Sequence, residues 1–425
     1  MIDDDPTLAG LCLSQARSHL APGLALGQKI TGRGAVEVSA RGAVIELSDG
    51  REVLDFGSYA VALLGHQHPD VVAAVSDQLA RMSTSTRSLA NPVTTALAAR
   101  LIDLLNPSRL RRVWFGQNGT DAVEAALKLA RLAAGRPRVL AVEGGYHGKS
   151  LGSLAATWSP RYRHGLESTL APVTHIRRDD PDAVAREVAH GDVAALIVEP
   201  VQGESGVVAL PADVLRGWAA DARAAGTFVI IDEVQCGLWR AGEPSLSLSH
   251  GYDLDPDAVL LGKPLGGGIL PLSAAVFAEQ LYAPMKADPF IHTATFSGHP
   301  LSCAAGLAGI DAMEQLAARG GQIGARLGRG LHALAEIYPD VVVQVRGRGL
   351  MWGLELSSSA AAGTVLTELS DAGLLVSPCL GRPEVLRLLP PMVLTDTQLD
   401  TAMAMLADAV SAARRFTVPA AVLTS

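Results

Sequence analysis

The chain has 425 residues, of which 48% are hydrophobic and 18% are charged. This length predicts roughly two or three domains of about 150 residues each, and the composition excludes a disordered or low-complexity protein. Its 35 Lys and Arg residues against 43 Asp and Glu leave a net charge of −8, the wrong sign for a protein that neutralises nucleic-acid phosphates. We therefore expect neither a nucleic acid nor a membrane surface as a partner.

The cysteines and the N-terminus both favour a cytoplasmic protein. Cys12, Cys236, Cys303 and Cys379 lack the paired spacing of a metal site, and so few thiols in so long a chain are typical of a reducing compartment. Residues 1–6 are acidic rather than basic, and no apolar stretch approaches the ~18 residues of a membrane span. We expect no structural metal and no disulfide framework.

In chain order, short β-branched runs alternate with Ala-rich helical stretches between about residues 66 and 302. This alternation predicts an α/β domain with a mostly parallel central sheet, and the apolar character of the runs suits strands buried on both faces. The predicted strands are residues 138–142, 194–198, 227–231 and 258–261.

The rest of the chain predicts a smaller α+β domain. A long Ala-rich helical segment begins near residue 303, a strand follows at 351–356, and the chain closes on a helix at 398–413. We therefore divide the chain into an N-terminal segment that packs with the small domain, a large domain and the small C-terminal domain. Their bounds are 1–65, 66–302 and 303–425.

Polar residues with catalytic potential gather directly after the predicted strands. These groups are residues 146–148, 199–204, 232–233 and 262–263. Ligands of open parallel sheets bind beyond the carboxyl ends of the strands, so these groups predict a site in one crevice.

Residues 116–120 contain two glycines and precede a helical stretch, with Asp121 and Glu124 as a candidate capping box. Free N–H groups and the helix dipole at such an N-terminus favour a phosphate, although an ordinary capped helix explains this segment equally well.

Lys263 and Asp232 suggest covalent chemistry with a bound ring. A lysine between glycines after an apolar strand is desolvated, which lowers its pKa and frees its amine for Schiff-base formation, although a surface lysine is the simpler interpretation of Lys263 alone. Asp232 ends an apolar strand, where a buried carboxylate needs a cation such as a protonated pyridine nitrogen. A salt-bridge or capping role is the alternative for Asp232.

A phosphate site, a Schiff-base lysine and an aspartate for a pyridinium are the three contacts that hold pyridoxal 5′-phosphate (PLP). With these residues in this order, the chain from about Val36 to Ala413 resembles the class III aminotransferases of fold type I. The other matching motifs are Leu64-Gly65-His66-Gln67-His68-Pro69, Glu199-Pro200-Val201-Gln202-Gly203-Glu204, Asp232-Glu233-Val234-Gln235, Thr295-Phe296 and Arg387-Leu388-Leu389-Pro390-Pro391.

The resemblance implies a role for each residue that matches the family. Lys263 binds the cofactor covalently and then shuttles a proton, and Asp232 keeps the ring nitrogen protonated. The other implied cofactor residues are Gly119 and Thr120 at the phosphate, Tyr146 and Val234 on the two ring faces, Gln235 near the ring hydroxyl, and Thr295 from the neighbouring subunit of a homodimer.

The resemblance also implies how two different substrates share the pocket. Arg387 matches the arginine that binds a carboxylate in a bidentate fork, and Glu204 matches the glutamate that covers this arginine when the donor has no α-carboxylate. Structural ion pairing is the alternative for both. Tyr59 and Trp239 depart from the family pattern and either narrow the substrate pocket or only pack.

The expected activity is a ping-pong transfer of an amino group from a primary amine or amino acid to an oxo acid such as 2-oxoglutarate or pyruvate. Residues 146–152 and 292–296 look most like putrescine aminotransferases, and Lys149 stands where ornithine-preferring enzymes usually carry arginine. The expected donor is putrescine- or ornithine-like, and Lys149 shifts this expectation toward an amine, because a second carboxylate contact loses its arginine.

Two alternatives stay open from the sequence. Residues 148–152 match the nucleophile elbow of α/β serine hydrolases, with Ser150 as nucleophile and Asp232 and either His292 or His299 as partners. A protein of the same fold that binds PLP without turnover is the second. A dinucleotide site at residues 347–352 is disfavoured, since the third glycine is missing and a strand follows.

Overall fold

A computed structural model describes residues 8–417 of the chain. Its α-helices are α1 Leu8–His19, α2 Pro22–Gly32, α3 Pro69–Arg81, α4 Pro92–Leu104, α5 Gly119–Ala134, α6 Leu151–Ala156, α7 Pro160–Arg163, α8 Ala183–Val188, α9 Ala212–Ala224, α10 Ala283–Ala287, α11 Pro300–Ile337, α12 Ser359–Ala372 and α13 Asp396–Thr417. Short 3₁₀ turns occupy Ser58–Ala60, Glu167–Thr169 and Lys263–Gly266. No helix in this part of the chain has both the length and the apolar character to cross a membrane.

The strands form one large sheet and three small ones. In chain order they are β1 Glu37–Arg41, β2 Val44–Leu47, β3 Glu52–Asp55, β4 Leu110–Gly116, β5 Arg138–Val142, β6 Val173–Ile176, β7 Val193–Val198, β8 Val201–Gln202, β9 Val208–Ala209, β10 Phe228–Asp232, β11 Ala258–Leu261, β12 Ser273–Ala278, β13 Val342–Arg348, β14 Met351–Leu356, β15 Leu374–Leu375, β16 Ser377–Pro378 and β17 Val385–Leu388. The four predicted strands of the large domain agree with β5, β7, β10 and β11 to within one residue.

The central sheet has the strand order β4-β12-β11-β10-β7-β5-β6. Strands β11, β10, β7, β5 and β6 pair in parallel, whereas β12 runs antiparallel to both of its neighbours. The predicted α/β class with a mostly parallel sheet is therefore confirmed.

Helices cover both faces of this sheet. One face packs against α5, whose buried side includes Val123, Ala126 and Ala130, and the other packs against α8 and α9 through residues such as Trp218. Every residue of β7 and β12 is buried, which explains why these strands are continuously apolar in sequence.

The N-terminal and C-terminal strands form two of the smaller sheets. Strands β13, β14, β17 and β16 form an antiparallel sheet, and β15 extends the N-terminal sheet by pairing in parallel with β3. The glycines of residues 347–349 lie where β13 turns into β14, so this segment is a hairpin and not the start of a dinucleotide-binding helix. The domain bounds at residues 65 and 302 stay predictions.

A buried glutamate fastens the loop that follows the central strand β10. Glu233 is 1% exposed, and its carboxylate accepts hydrogen bonds from Ser245 Oγ (2.9 Å), Leu246 N (2.9 Å) and Ser247 N (2.7 Å). Because Glu233 follows Asp232 directly, these bonds hold the end of β10 in place.

Removing this acceptor leaves buried donors without a partner, and we predict that Glu233→Ala lowers the free energy of unfolding by about 3 kcal/mol. Denaturant unfolding of the purified protein measures the change, with Glu243→Ala as control because the Glu243 side chain is less buried and close in sequence. Equal unfolding midpoints for the two variants would contradict the assignment.

Candidate active site

The carboxyl ends of the parallel strands meet around a cavity of about 490 Å³. Residues that follow β5, β7, β10 and β11 line it, together with the turn between β4 and α5. The lining side chains with catalytic potential are Tyr146, His147, Glu199, Glu204, Asp232, Gln235 and Lys263. The structure thus brings the polar groups that follow these four strands to one edge of the sheet.

The N-terminus of α5 forms one wall of the cavity. Asn118 is the N-cap: its Oδ1 accepts from Asp121 N (3.2 Å), and Asp121 Oδ2 accepts from Asn118 N (3.2 Å) and Gln117 N (2.8 Å). The predicted capping box of Asp121 with Glu124 is wrong. The helix begins at Gly119, so Asp121 is the third residue of the helix and the capping box joins it to Asn118. Glu124 instead accepts from Ser153 N (2.8 Å).

Gly119 lets this helix end approach the opposite wall. A Cβ at Gly119 would lie 2.6 Å from Cγ1 of Val234, which is closer than side-chain packing permits. Thr120 follows in the first turn of α5 and also lines the cavity. The free N–H groups of this turn therefore face the cavity that contains Lys263 and Asp232.

Lys263 follows β11 and has a positive φ of 45°, an unusual backbone conformation for a residue with a side chain. Within residues 8–417 its amine makes no hydrogen bond or ion pair. Burial lowers the pKa of Lys263 below its ordinary value, against the opposing charges of Glu204 and Asp232. The site therefore holds an amine that loses its proton more readily than a surface lysine does.

Asp232 lies at the end of β10 and pairs with a histidine. It is 4% exposed, and its Oδ2 lies 2.8 Å from Nδ1 of His147, while Oδ1 accepts from Val234 N (3.1 Å). Thr157 Oγ1 accepts from His147 N (2.9 Å), which fixes the backbone of the histidine. The other ring nitrogen of His147, Nε2, is buried and has no partner among the described residues.

Glu199 is a second buried carboxylate in the cavity. Its Oε2 accepts from Tyr146 N (2.9 Å), and it follows β7, the neighbour of β10. Burial, reinforced by the negative charge of Asp232, raises the pKa of Glu199 well above its ordinary range. The cavity therefore favours a cationic ligand group beside the carboxyl groups of Asp232 and Glu199.

Sequence reasoning missed the contributions of His147 and Glu199. Both belong to motifs noted above, but their partners, Asp232 and the Tyr146 backbone, are distant in sequence. Their place in the sequence could have indicated them. Glu199 follows β7, which pairs with β10, and His147 follows β5, which pairs with β7.

Arg387 and Glu204 form a buried ion pair. Arg387 lies on β17, is 1% exposed, and donates from Nη1 to Oε1 of Glu204. Glu204 also accepts from Leu380 N (3.0 Å) at Oε2 and from Gln235 Nε2 (3.3 Å) at Oε1. Burial acts to raise the pKa of Glu204, but Arg387 and these donors outweigh it and hold this pKa below its ordinary value.

Besides Arg387, which contacts the lining residue Glu204, three residues proposed from the sequence do not line this cavity of the chain. Thr295 is exposed, Tyr59 is 67% exposed, and Trp239 is buried in the main hydrophobic core. The segment that carries Thr295 is held by Trp114 Nε1, which donates to His292 O (3.1 Å), by Lys128, which donates to Ile291 O, and by Ser297 Oγ, which donates to Phe115 O (2.6 Å). The binding roles of these three residues stay predictions.

The arrangement does not support the serine hydrolase alternative. Ser150 is exposed at the N-terminus of α6, whereas Asp232 is already paired with His147. The ring of His292 packs on Trp114 with a centroid distance of 4.8 Å, and that of His299 packs on Phe296 at 5.7 Å. In the described part of the chain, Ser150, Asp232 and these histidines therefore form no hydrogen-bonded triad.

The model of the family described as aminotransferase class-III matches residues 32–410, which is most of the chain. The chain belongs to this family. As a class III aminotransferase it is a PLP-dependent transaminase, and the resemblance stated from its motifs is confirmed.

Similar proteins agree with this assignment. This class III aminotransferase is 36% identical to a putrescine aminotransferase of Pectobacterium atrosepticum, in an alignment that spans 93% of this chain and 87% of the relative. A solved ornithine aminotransferase of Toxoplasma gondii superposes with a TM-score of 0.88 at 27% identity, over 96% of both chains. A PLP-bound amine transaminase of an uncultivated Pseudomonas species superposes with a TM-score of 0.80 at 30% identity. The superposition covers 89% of this chain and 95% of the transaminase.

The cavity of this class III aminotransferase fits PLP. The cofactor requires an amine, an anion-binding helix end and an acid near a ring nitrogen, and Lys263, the first turn of α5 and Asp232 all line the same cavity. No group of three or more metal ligands occurs within residues 8–417.

The depressed pKa of Lys263 predicts how the apoenzyme captures PLP. Only the neutral amine attacks the cofactor aldehyde, and burial makes this form available at lower pH, so the capture rate should rise with pH and level off below the ordinary lysine pKa of about 10.4. Stopped-flow absorbance measures the rate, and Lys149→Ala should leave the profile unchanged. A rate that keeps rising through the ordinary lysine range would contradict this prediction.

Proposed function

We propose that the enzyme transfers an amino group from a primary amine or amino acid of the putrescine or ornithine type to an oxo acid such as 2-oxoglutarate or pyruvate, by ping-pong chemistry. The observation that carries the proposal is the unpartnered amine of Lys263, in one cavity with Asp232 and beside the Glu204–Arg387 pair. The putrescine and ornithine aminotransferases among the similar proteins support this donor class.

PLP, when bound, supplies a cationic ring that spreads the electron pair left on the substrate carbon after a proton is removed. Lys263 would hold the cofactor and then, as a free amine, take that proton from the substrate's amine carbon and return it to C4′ of the cofactor. A general base so placed contributes roughly 10²–10⁴-fold to the rate. The lowered pKa of Lys263 suits this role, because it makes the neutral, proton-accepting form of the amine more available.

Asp232 would keep the ring nitrogen protonated, and His147 would support it. The Nδ1–Oδ2 bond of 2.8 Å and the Val234 N–H orient the carboxylate of Asp232. Tyr146 and Val234 would contact the two faces of the ring, Gln235 its hydroxyl, and Gly119 and Thr120 its phosphate. All of these residues line the cavity.

Arg387 would bind the carboxylate of the oxo acid, with Glu204 as the group that covers it in the other half-reaction. A buried arginine without a partner is unfavourable, and losing one member of such a pair typically costs about 3–5 kcal/mol. A donor without an α-carboxylate leaves the Glu204–Arg387 pair intact, whereas an oxo acid replaces Glu204 at the guanidinium. One pocket can then accept both substrates.

We also propose a cytoplasmic homodimer with shared active sites. Thr295 of the partner subunit would reach the phosphate, which is consistent with its exposure in the single chain and its place outside that chain's own cavity. Phe290 and Phe296 flank it and are 80% and 55% exposed, an apolar surface suited to an interface. Tyr59 and Trp239 would narrow the substrate pocket.

Separated half-reactions test the proposed activity. The PLP-loaded enzyme, mixed with putrescine or ornithine in a single turnover, should lose its visible absorbance, and 2-oxoglutarate or pyruvate should restore it. Hydrolysis of an ester with no change of the cofactor spectrum would favour the hydrolase alternative. A spectrum unchanged by every donor would indicate a PLP protein without turnover.

The proposed division of roles predicts that Arg387→Gln slows the oxo-acid half-reaction about 100-fold in kcat/KM, since a charged hydrogen bond to the carboxylate is lost. The putrescine half-reaction should change less than about fivefold. Arg387→Gln also leaves the buried Glu204 carboxylate without its cation. The double variant Glu204→Gln with Arg387→Gln removes both charges and serves as the control for this effect. Equal losses in both half-reactions would undercut the scheme.

A further inference from the structure

A second cavity of about 390 Å³ adjoins the cofactor cavity. We call it the outer cavity; it is lined by Glu143, Gly144, Gly145, Tyr146, Thr157, Trp158, Ser159, Pro160, Tyr162, Arg178, Glu204, Ser205, Leu380, Gly381 and Arg382. Tyr146 and Glu204 line both cavities and form the boundary between them. A substrate whose amine reaches Lys263 can therefore extend its far end past these two residues.

Arg178 gives the outer cavity a cation that is not ion-paired within residues 8–417; the charge of the adjacent Asp179 acts on it, but that carboxylate is paired with Arg177. Arg178 follows the edge strand β6 by two residues, is half-buried, and has no hydrogen-bonded or ion-paired carboxylate in the described chain. Its neighbour Arg177 is exposed and pairs with Asp179 (2.8 Å). A partly desolvated guanidinium beside a substrate cavity provides a site for a carboxylate or a phosphate.

Other cations of the outer cavity are already engaged. Arg382 donates to Glu355 (2.8 Å) and Glu384. The ammonium of Lys149 lies 4.3 Å from the ring centroid of Tyr162, a cation–π contact at the cavity wall. Arg178 is thus the lining cation best placed to bind an anion.

Negative groups also face the outer cavity, but they do not neutralise Arg178. The charge of Glu204 is held by Arg387, and Glu143 forms no ion pair with Arg178. The segment 149–178, which forms much of the wall, contains five Lys or Arg residues and one Glu in a chain of net charge −8. Such a local excess of positive charge attracts anionic ligands.

We propose that the outer cavity binds an anionic group, a carboxylate or a phosphate, at the end of the substrate far from the reacting nitrogen, with Arg178 as its ligand. This inference rests on the proposed function and narrows its substrate class to donors with an anion at the far end, as in ornithine, and away from putrescine, whose far end is an ammonium. Recognition of the far end by Arg178 supplies a second anion contact that Lys149, stacked on Tyr162, does not provide. Trp158 and Tyr162 would contact the connecting carbon chain.

Matched donors test the proposal in single-turnover half-reactions. The PLP-loaded enzyme is mixed with ω-amino carboxylates of increasing length, each paired with the n-alkylamine and the aminoalkyl phosphate of the same length. At one length at least, an anionic donor should exceed its alkylamine in kcat/KM, and Arg178→Gln should reduce this ratio about tenfold, as expected for loss of one charged hydrogen bond. The class of anionic donor whose kcat/KM falls more in Arg178→Gln, carboxylate or phosphate, is the anion that the outer cavity binds.

Three further variants separate the outcomes. Arg178→Lys should recover part of the ratio, Arg177→Gln, which frees Asp179, should lower it much less than Arg178→Gln does, and Glu143→Gln should increase it. If Arg178→Gln and Arg177→Gln alter the ratio equally, or if alkylamines react as well as anionic donors at every length, the anion site is refuted while the aminotransferase activity stands. If no donor of any class reacts, the proposed function itself fails.

Discussion

The active site depends on burying the carboxylate of Asp232 at the end of β10, the middle strand of the sheet. A carboxylate so placed must be compensated, and the chain provides a histidine nitrogen, one backbone N–H and the neighbouring amine of Lys263. Glu199 lies in the same cavity and adds to the demand for positive charge. A protonated pyridine ring meets this demand, so the electrostatics of the cavity and the cofactor of the family agree.

The fold places these groups without using long loops. Five parallel strands end at one edge of the sheet, and the residues after four of them line the cavity. The antiparallel strand β12 and the loop before it close the far side through residues 268–272, beside Lys263. Glu233, fastened by its three donors, keeps the end of β10 from shifting.

Much of this site could be predicted from the sequence, because buried parallel strands are recognisable as apolar runs and ligand-binding residues follow them. Lys263, Asp232 and Glu204 were found in this way. The capping box was misplaced, since Asp121 can pair in either direction along the chain and only the observed helix start decides for Asn118. The His147–Asp232 bond and the position of Arg178 depend on which strands are neighbours, and β6, which precedes Arg178, was not predicted.

As proposed above, the two cavities would divide recognition between the reacting centre and the far end of the substrate. Glu204 belongs to both and is bound to Arg387 on one side and to the Leu380 N–H on the other. In the proposed scheme, movement of Glu204 would change both the charge that an oxo acid meets at Arg387 and the width of the passage between the cavities. Selectivity in this enzyme would then come from a few charged side chains around Lys263 and Asp232.

Peptide mapping of the borohydride-reduced holoenzyme tests the central claim most directly. Reduction fixes the cofactor onto the nitrogen that holds it, and mass spectrometry identifies the modified lysine. The account predicts that the reduced cofactor is attached to a single residue, Lys263. In Asp232→Ala, the amount attached should fall only as far as cofactor binding falls. A label on Lys149 or another lysine, in a preparation that retains full transaminase activity, would contradict it.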